Sequence, residues 1–136
     1  MILKSLKAVD RQKVAMTGAQ GVEMQLLCGP GDGCENFAMR RFIVEAGGCT
    51  PKHSHDYEHE VLVLAGEGVA FGNGKEQAIR AGDVVIVPAN EVHQFKAGEK
   101  TGLEILCMVP AFVHRPGAPV PVAVDCAIDA GTGKAK

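Results

Sequence analysis

Three histidines within seven residues, His53-Ser-His55-Asp-Tyr-Glu-His59, form the densest set of metal-ligating side chains in the sequence. Residues i and i+2 of an extended strand point to one face, so His53 and His55 can offer two imidazoles to one ion. A short turn returns His59, and His93 follows a second turn signal, Pro88-Ala-Asn-Glu-Val-His93, which a barrel can bring opposite the first three. Neutral imidazole suits manganese, iron, nickel, copper and zinc, so ligand type leaves the metal open. Six-coordination would leave two positions for water, oxygen or a bidentate substrate, whereas tetrahedral zinc would close the site. His114, beside Arg115 and Pro116, reads as a surface residue and not a ligand. Each imidazole must be neutral to bind, so ordinary histidine pKa values predict that metal affinity collapses below about pH 6.

The elements that must position these side chains are short. Gly29-Pro-Gly-Asp-Gly33, Ala46-Gly-Gly48, Gly66-Glu-Gly68, Asn73-Gly74, Ala81-Gly-Asp83, Pro88-Ala-Asn90 and Ala97-Gly98 punctuate the chain as turn signals. Between them lie runs rich in β-branched residues: 22–28, 37–44, 59–65, 69–72, 76–79, 84–87, 93–96 and 103–109. Such spacing predicts an all-β sandwich or barrel. Asn73-Gly74 has the chemistry of a two-residue hairpin turn, since both positions tolerate positive φ. Helical periodicity is absent apart from a turn or two over 4–13. From Pro110 onward prolines crowd, which predicts a barrel over residues 1–110 and a Pro/Gly-rich extension over 111–136. The apolar part of that extension, 120–128, is expected against the barrel or a second subunit, with the last six residues mobile.

With 136 residues the chain suffices for one core. Fourteen Lys and Arg against sixteen Asp and Glu leave a formal charge of −2, no field for a phosphate backbone, so nucleic acid is excluded as a partner. No run approaches the roughly 18 apolar residues of a membrane span, and the N-terminus lacks a signal core, so a soluble cytoplasmic protein is expected. Five cysteines without a C-x-x-C pair read as reduced thiols.

Gly47-(x5)-His53-Ser-His55-(x3)-His59-(x6)-Gly66 resembles the first cupin motif, and Gly82-(x5)-Pro88-Ala-Asn90-Glu-Val-His93 the second. The informative departure is His59, which fills a slot that is Glu in most cupins; Glu58 and Glu60 beside it are assigned as non-ligands. The chain thus resembles the small four-histidine manganese cupins over roughly residues 1–110. That resemblance implies a single-domain double-stranded β-helix, or jelly-roll barrel, that forms a homodimer and holds one divalent ion, manganese favoured. It also implies oxidoreductase chemistry on a small organic substrate.

Four neutral ligands leave the full +2 on the site, which favours an anionic substrate. Arg40 matches a pocket arginine of the four-histidine family and could hold a carboxylate bidentately. On the last strand Leu103, Ile105, Cys107 and Val109 share one face, and the charge of Glu104 on the other face turns the first set inward. The resemblance then implies Cys107 near the metal, as a catalytic candidate with Arg40, and Ile105 and Val109 as an apolar pocket wall, with Phe95 on the face of His93 and Thr50 as further pocket candidates. The leading reading is an oxygen- or peroxide-dependent, dioxygenase-like oxidoreductase. The alternatives are a redox-neutral lyase or isomerase, with Glu60 or a metal hydroxide as base, and a non-enzymatic small-molecule or metal-binding module.

Overall fold

The computed structural model describes residues 1–119 and 121–123, which form an all-β jelly-roll barrel of ten strands. The strands are β1 (Gln12–Lys13), β2 (Gln20–Cys28), β3 (Phe37–Cys49), β4 (His53–Ser54), β5 (His59–Gly72), β6 (Lys75–Arg80), β7 (Val84–Val87), β8 (His93–Ala97), β9 (Leu103–Pro110) and β10 (Val122–Ala123). All pairings are antiparallel, in the order β1-β2-β3-β9-β5-β8-β4-β10 with β6 and β7 also on β5. A contact from Cys49 of β3 to Lys96 of β8 closes the barrel.

Strand β5 shows how the barrel turns its corner. Its first half, from His59, pairs with β7 and β9, and its second half pairs with β6 and β8. Gly66 and Gly68, read from sequence as a turn, lie inside this continuous strand. Gly66 adopts φ 79°, and a Cβ there would fall on the carbonyl oxygen of Gly102. The glycines therefore serve a bend within a strand, with a bulge at Leu64 supplying the extra twist. Ala46-Gly-Gly48 is likewise absorbed into β3, where Gly48 sits too close to the carbonyl of Gln20 for any side chain. Asn73-Gly74 does form the expected hairpin turn, with φ of 50° and 71°.

Side chains alternate as a half-buried pleat requires. Val61 and Val63 on β5, Val44 on β3 and Leu103, Ile105, Cys107 and Val109 on β9 face inward and are almost wholly buried. On the outer face Leu62, Leu64, Val84 and Ile86 form an exposed apolar stripe across β5 and β7. The N-terminal segment makes one short 3-10 turn, Leu6–Ala8, and is tied down by Gln25, whose buried amide donates to the carbonyls of Leu6 (3.1 Å) and Val9 (2.7 Å). After β9 a 3-10 turn, Ala111–His114, leads to β10, which pairs with β4. Part of the extension thus lies against the barrel, while residues 124–136 fall outside the described residues. Among the described residues no helix is long and apolar enough to cross a membrane.

Gly66→Ala should cost about 2–3 kcal/mol, from left-handed backbone strain plus displacement of the Gly102 carbonyl. Chemical denaturation of the variant against the parent measures it; an unchanged midpoint would mean that the corner tolerates a side chain.

Candidate metal centre

Each histidine reaches the centre from a strand end. His53 opens β4 and is registered directly opposite His93, which opens β8; His59 opens β5; and His55 lies in the loop just after β4. Asn90, at φ 69°, takes the left-handed turn position and donates its N–H to the carbonyl of His55 (2.6 Å), which fixes the loop carrying that ligand. The four rings converge until one ligand atom from each lies within 4.8 Å of the others. Glu58 and Glu60 are exposed, and neither joins this cluster.

Hydrogen bonds decide which ring nitrogen faces inward. Nδ1 of His53 lies 2.8 Å from the carbonyl of Pro51, Nδ1 of His55 2.7 Å from that of Tyr57, and Nδ1 of His93 2.8 Å from that of Glu91. A carbonyl only accepts, so each Nδ1 carries the proton and each Nε2 presents a lone pair to the centre. Tyr57 further stacks on His55 at 3.9 Å and 5°. The consequence is electrostatically awkward in the absence of a cation: Nε2 of His55 stands 2.5 Å from Nε2 of His59, and Nε2 of His93 is buried without a partner. A divalent ion bound by four Nε2 atoms resolves both, so the residues present fit a metal.

His59 differs from the other three. Its Nδ1 meets the Cys107 sulfur at 2.8 Å, and the same sulfur accepts Nη2–H of Arg40 at 3.2 Å. Burial, then the Arg40 charge, push the His59 pKa far down. Burial likewise lowers His53, His55 and His93 to about 4 each. All four rings are therefore neutral well below the pH at which free imidazole charges. Burial also holds the Cys107 thiol above its ordinary range, against the pull of Arg40.

A cavity of about 410 Å³ opens beside the histidines. Arg40, Thr50, Phe95, Ile105 and Cys107 line it. Val109 is buried in the core and is not among the lining residues. His114, expected at the surface, is half-buried with an unpaired Nε2, because the 3-10 turn after β9 folds it back against the barrel. Glu60 points away on the outer face of β5 and cannot serve as a base in this cavity. Sequence reasoning missed the wall built by Lys13, Val14, Met16 and Met24, and by Val113, Ala118, Pro119 and Pro121. No motif marks these positions; only the inward alternation of β2 could have pointed to Met24.

The cupin-domain family model matches residues 40–109, just over half of the chain. The chain belongs to the cupin family. This cupin is 32% identical to an oxalate-binding protein of Thermotoga maritima over 113 residues, 80% of this chain and 93% of that one. It is 35% identical to a 1-methylthio-D-xylulose 5-phosphate methylsulfurylase of Rhodospirillum rubrum over 81 residues, 60% of this chain, and spans about half (52%) of that relative's length. Among solved structures it superposes on the polyketide cyclase RemF of Streptomyces resistomycificus with a TM-score of 0.82 at 26% identity, covering 92% of this chain and 86% of that one.

The lowered pKa values move the acid limit of this cupin. Because the folded rings resist protonation until about pH 4, bound metal should survive at pH 5 and be released near pH 4, not near the pH 6 that free imidazole suggests. The metal-free fold should lose stability as pH falls from about 6.5 toward 4, since the unfolded chain takes up these protons first. Equilibrium dialysis with metal analysis across pH 3.5–7 (~0.5-unit steps) checks the first point; release centred near pH 6 would mean that burial does not protect the rings. His59→Ala should lose the ion under the same dialysis at neutral pH.

Proposed function

We propose that this cupin binds a small oxyanionic organic molecule at a four-histidine metal centre and acts on it without net oxidation or reduction. The observation that carries this reading is the charge of the cavity wall. Arg40 and Lys13 line it, whereas among the described residues no aspartate or glutamate does. Nε of Arg40 is buried with no partner, a donor held ready for an acceptor that enters the cavity. Four neutral imidazoles add nothing negative to offset a divalent ion. Around these groups Met24, Phe42, Phe95, Ile105 and Val113 supply an apolar surface suited to a compact carbon skeleton.

When bound, a divalent ion supplies Lewis acidity toward a carbonyl or enolate oxygen. The chain's own residues do the rest. Arg40, held over the Phe42 ring at 5.0 Å, orients a carboxylate or enolate. Thr50 is fixed at the cavity wall because its Oγ1 accepts the backbone N–H of Phe95 at 2.9 Å. The apolar wall excludes water from the charged end of the ligand. The molecules named for the relatives above, oxalate, a sugar phosphate and a polyketide, are all rich in oxygen and carry carbonyl or anionic groups. Their names thus favour redox-neutral handling of such ligands over oxidation.

An oxygen- or peroxide-dependent oxidoreductase is the second reading, supported, as is manganese as the favoured ion, by the resemblance to the four-histidine manganese cupins. Oxygen consumption separates the two. With manganese-loaded protein and a candidate carboxylate, such as oxalate or benzoate, calorimetry should show binding while an oxygen electrode stays flat. Arg40→Gln should weaken that binding by about 10–100-fold, as expected on losing a charged hydrogen bond of about 1.5–3 kcal/mol. Oxygen uptake on adding the carboxylate would instead install the oxidoreductase reading.

The homodimer reading draws support from the stripe of Leu62, Leu64, Val84 and Ile86, four neighbouring apolar side chains on the outer face of β5 and β7. Light scattering should give twice the subunit mass, and Leu62→Lys with Ile86→Lys should give the monomer; a monomeric parent would remove the reading.

A further inference from the structure

We propose that Cys107 is a positioning residue that couples the anion held by Arg40 to the metal held by His59. The inference rests on the anion-binding reading above and goes on to say how the two halves of the site communicate. Its basis is the register of three adjacent strands. Arg40 of β3 is paired with Cys107 of β9, and Cys107 is paired with Val61 of β5, two residues beyond His59 on the same face. The thiol therefore sits directly beside Arg40 and diagonally beside His59 on the inner sheet, between the two.

The hydrogen bonds follow that arrangement. With Nε2 of His59 turned to the metal, its Nδ1 carries the proton and donates to the Cys107 sulfur at 2.8 Å. Nη2–H of Arg40 donates to the same sulfur at 3.2 Å, and the thiol's own proton is directed at the carbonyl of Met108, at a long 3.9 Å. The other three ligands satisfy Nδ1 on a backbone carbonyl two residues away, which no cavity occupant can move. The carbonyl two residues before His59, that of Tyr57, already accepts Nδ1–H of His55. The His59 ring is oriented by a side chain instead, and that side chain is shared with the cation that meets the ligand.

The direction of the coupling is set by competition for one sulfur. A carboxylate on Arg40 takes up the unpartnered Nε and draws Nη2 toward itself, because a charged oxygen is a far better acceptor than a thiol. The sulfur is then left to His59 alone, the Nδ1–H···S bond strengthens, and the imidazole becomes a stronger donor to the metal. Anion and metal consequently tighten one another, and by thermodynamic reciprocity the factor is the same in both directions.

The test uses full-length 15N-labelled protein loaded with zinc, with benzoate as the probe. In imidazole 1H–15N correlation spectra the Nδ1–H resonance of His59 should move on adding benzoate by clearly more than those of His53, His55 and His93, and Arg40→Gln should displace it even without benzoate. Cys107→Val should weaken zinc by about tenfold in a chelator competition and abolish the mutual tightening of zinc and benzoate, while Cys107→Ser, which keeps an acceptor, should restore both. Equal movement of all four histidines, or mutual tightening that persists in the valine variant, overturns the coupling. If calorimetry shows no benzoate binding to the parent, the anion-binding reading fails for this probe, and the coupling is overturned with it only if zinc affinity and the His59 resonance also ignore Cys107→Val and Arg40→Gln.

Discussion

Four imidazole lone pairs aimed at one point repel each other unless a cation sits between them, and much of this barrel is arranged to keep them so aimed. Three Nδ1 protons are fixed on backbone carbonyls, so these rings cannot turn their lone pairs aside without breaking a hydrogen bond. Burial keeps all four rings neutral by making a charged imidazole costly, which removes protonation as an escape. The strands carrying the ligands belong to a closed barrel, so separating them would break the ladder on either side. Metal binding is in this sense encoded by the hydrogen bonds behind the ligands as much as by the ligands.

Those ligands were legible because their crowding within seven residues is a short-range feature. That cluster, the inward set Leu103, Ile105, Cys107 and Val109, and the Asn73-Gly74 turn each depend on two to seven neighbouring residues, although His55 lies in the loop after β4 and does not share a strand with His53. What the sequence concealed depends on contacts distant along the chain. Gly66 reads as a turn but bends a strand, because the feature that requires glycine is the carbonyl of Gly102 on a neighbouring strand. His114 follows a proline-bounded segment that looks like tail, yet the 3-10 turn of Ala111–His114 brings it back against the barrel. Glu60, one of two bases open to a lyase or isomerase in the sequence, is turned outward by alternation once His59 is committed to the inner face. Apart from Lys13, the residues of the cavity's second wall carry no charge or metal-ligating group, so only the folded chain reveals them.

The site also shows why a four-histidine centre differs in kind from one with a carboxylate ligand. A carboxylate would neutralise part of the ion's charge and compete with an incoming anion for Arg40. Here Glu58 and Glu60 are exposed, and among the described residues the side chain that accepts from Arg40 is a thiol, a weak acceptor. The cationic character of the centre is thus left for a ligand to satisfy.

Where ligand selection is encoded follows from the same geometry. The family segment, residues 40–109, contains the four histidines, Arg40 and Cys107, and so carries the metal ligands and one of the two cations of the cavity. The wall facing them is drawn from outside that segment, from Lys13 to Met24 on one side and from Val113 to Pro121 on the other. The second of these stretches ends in β10, whose Ala123 is registered on His53, so the segment that shapes the cavity is hydrogen-bonded to a strand that carries a ligand. A barrel of this kind can change the size and polarity of what it admits by varying its two ends while leaving the metal chemistry intact.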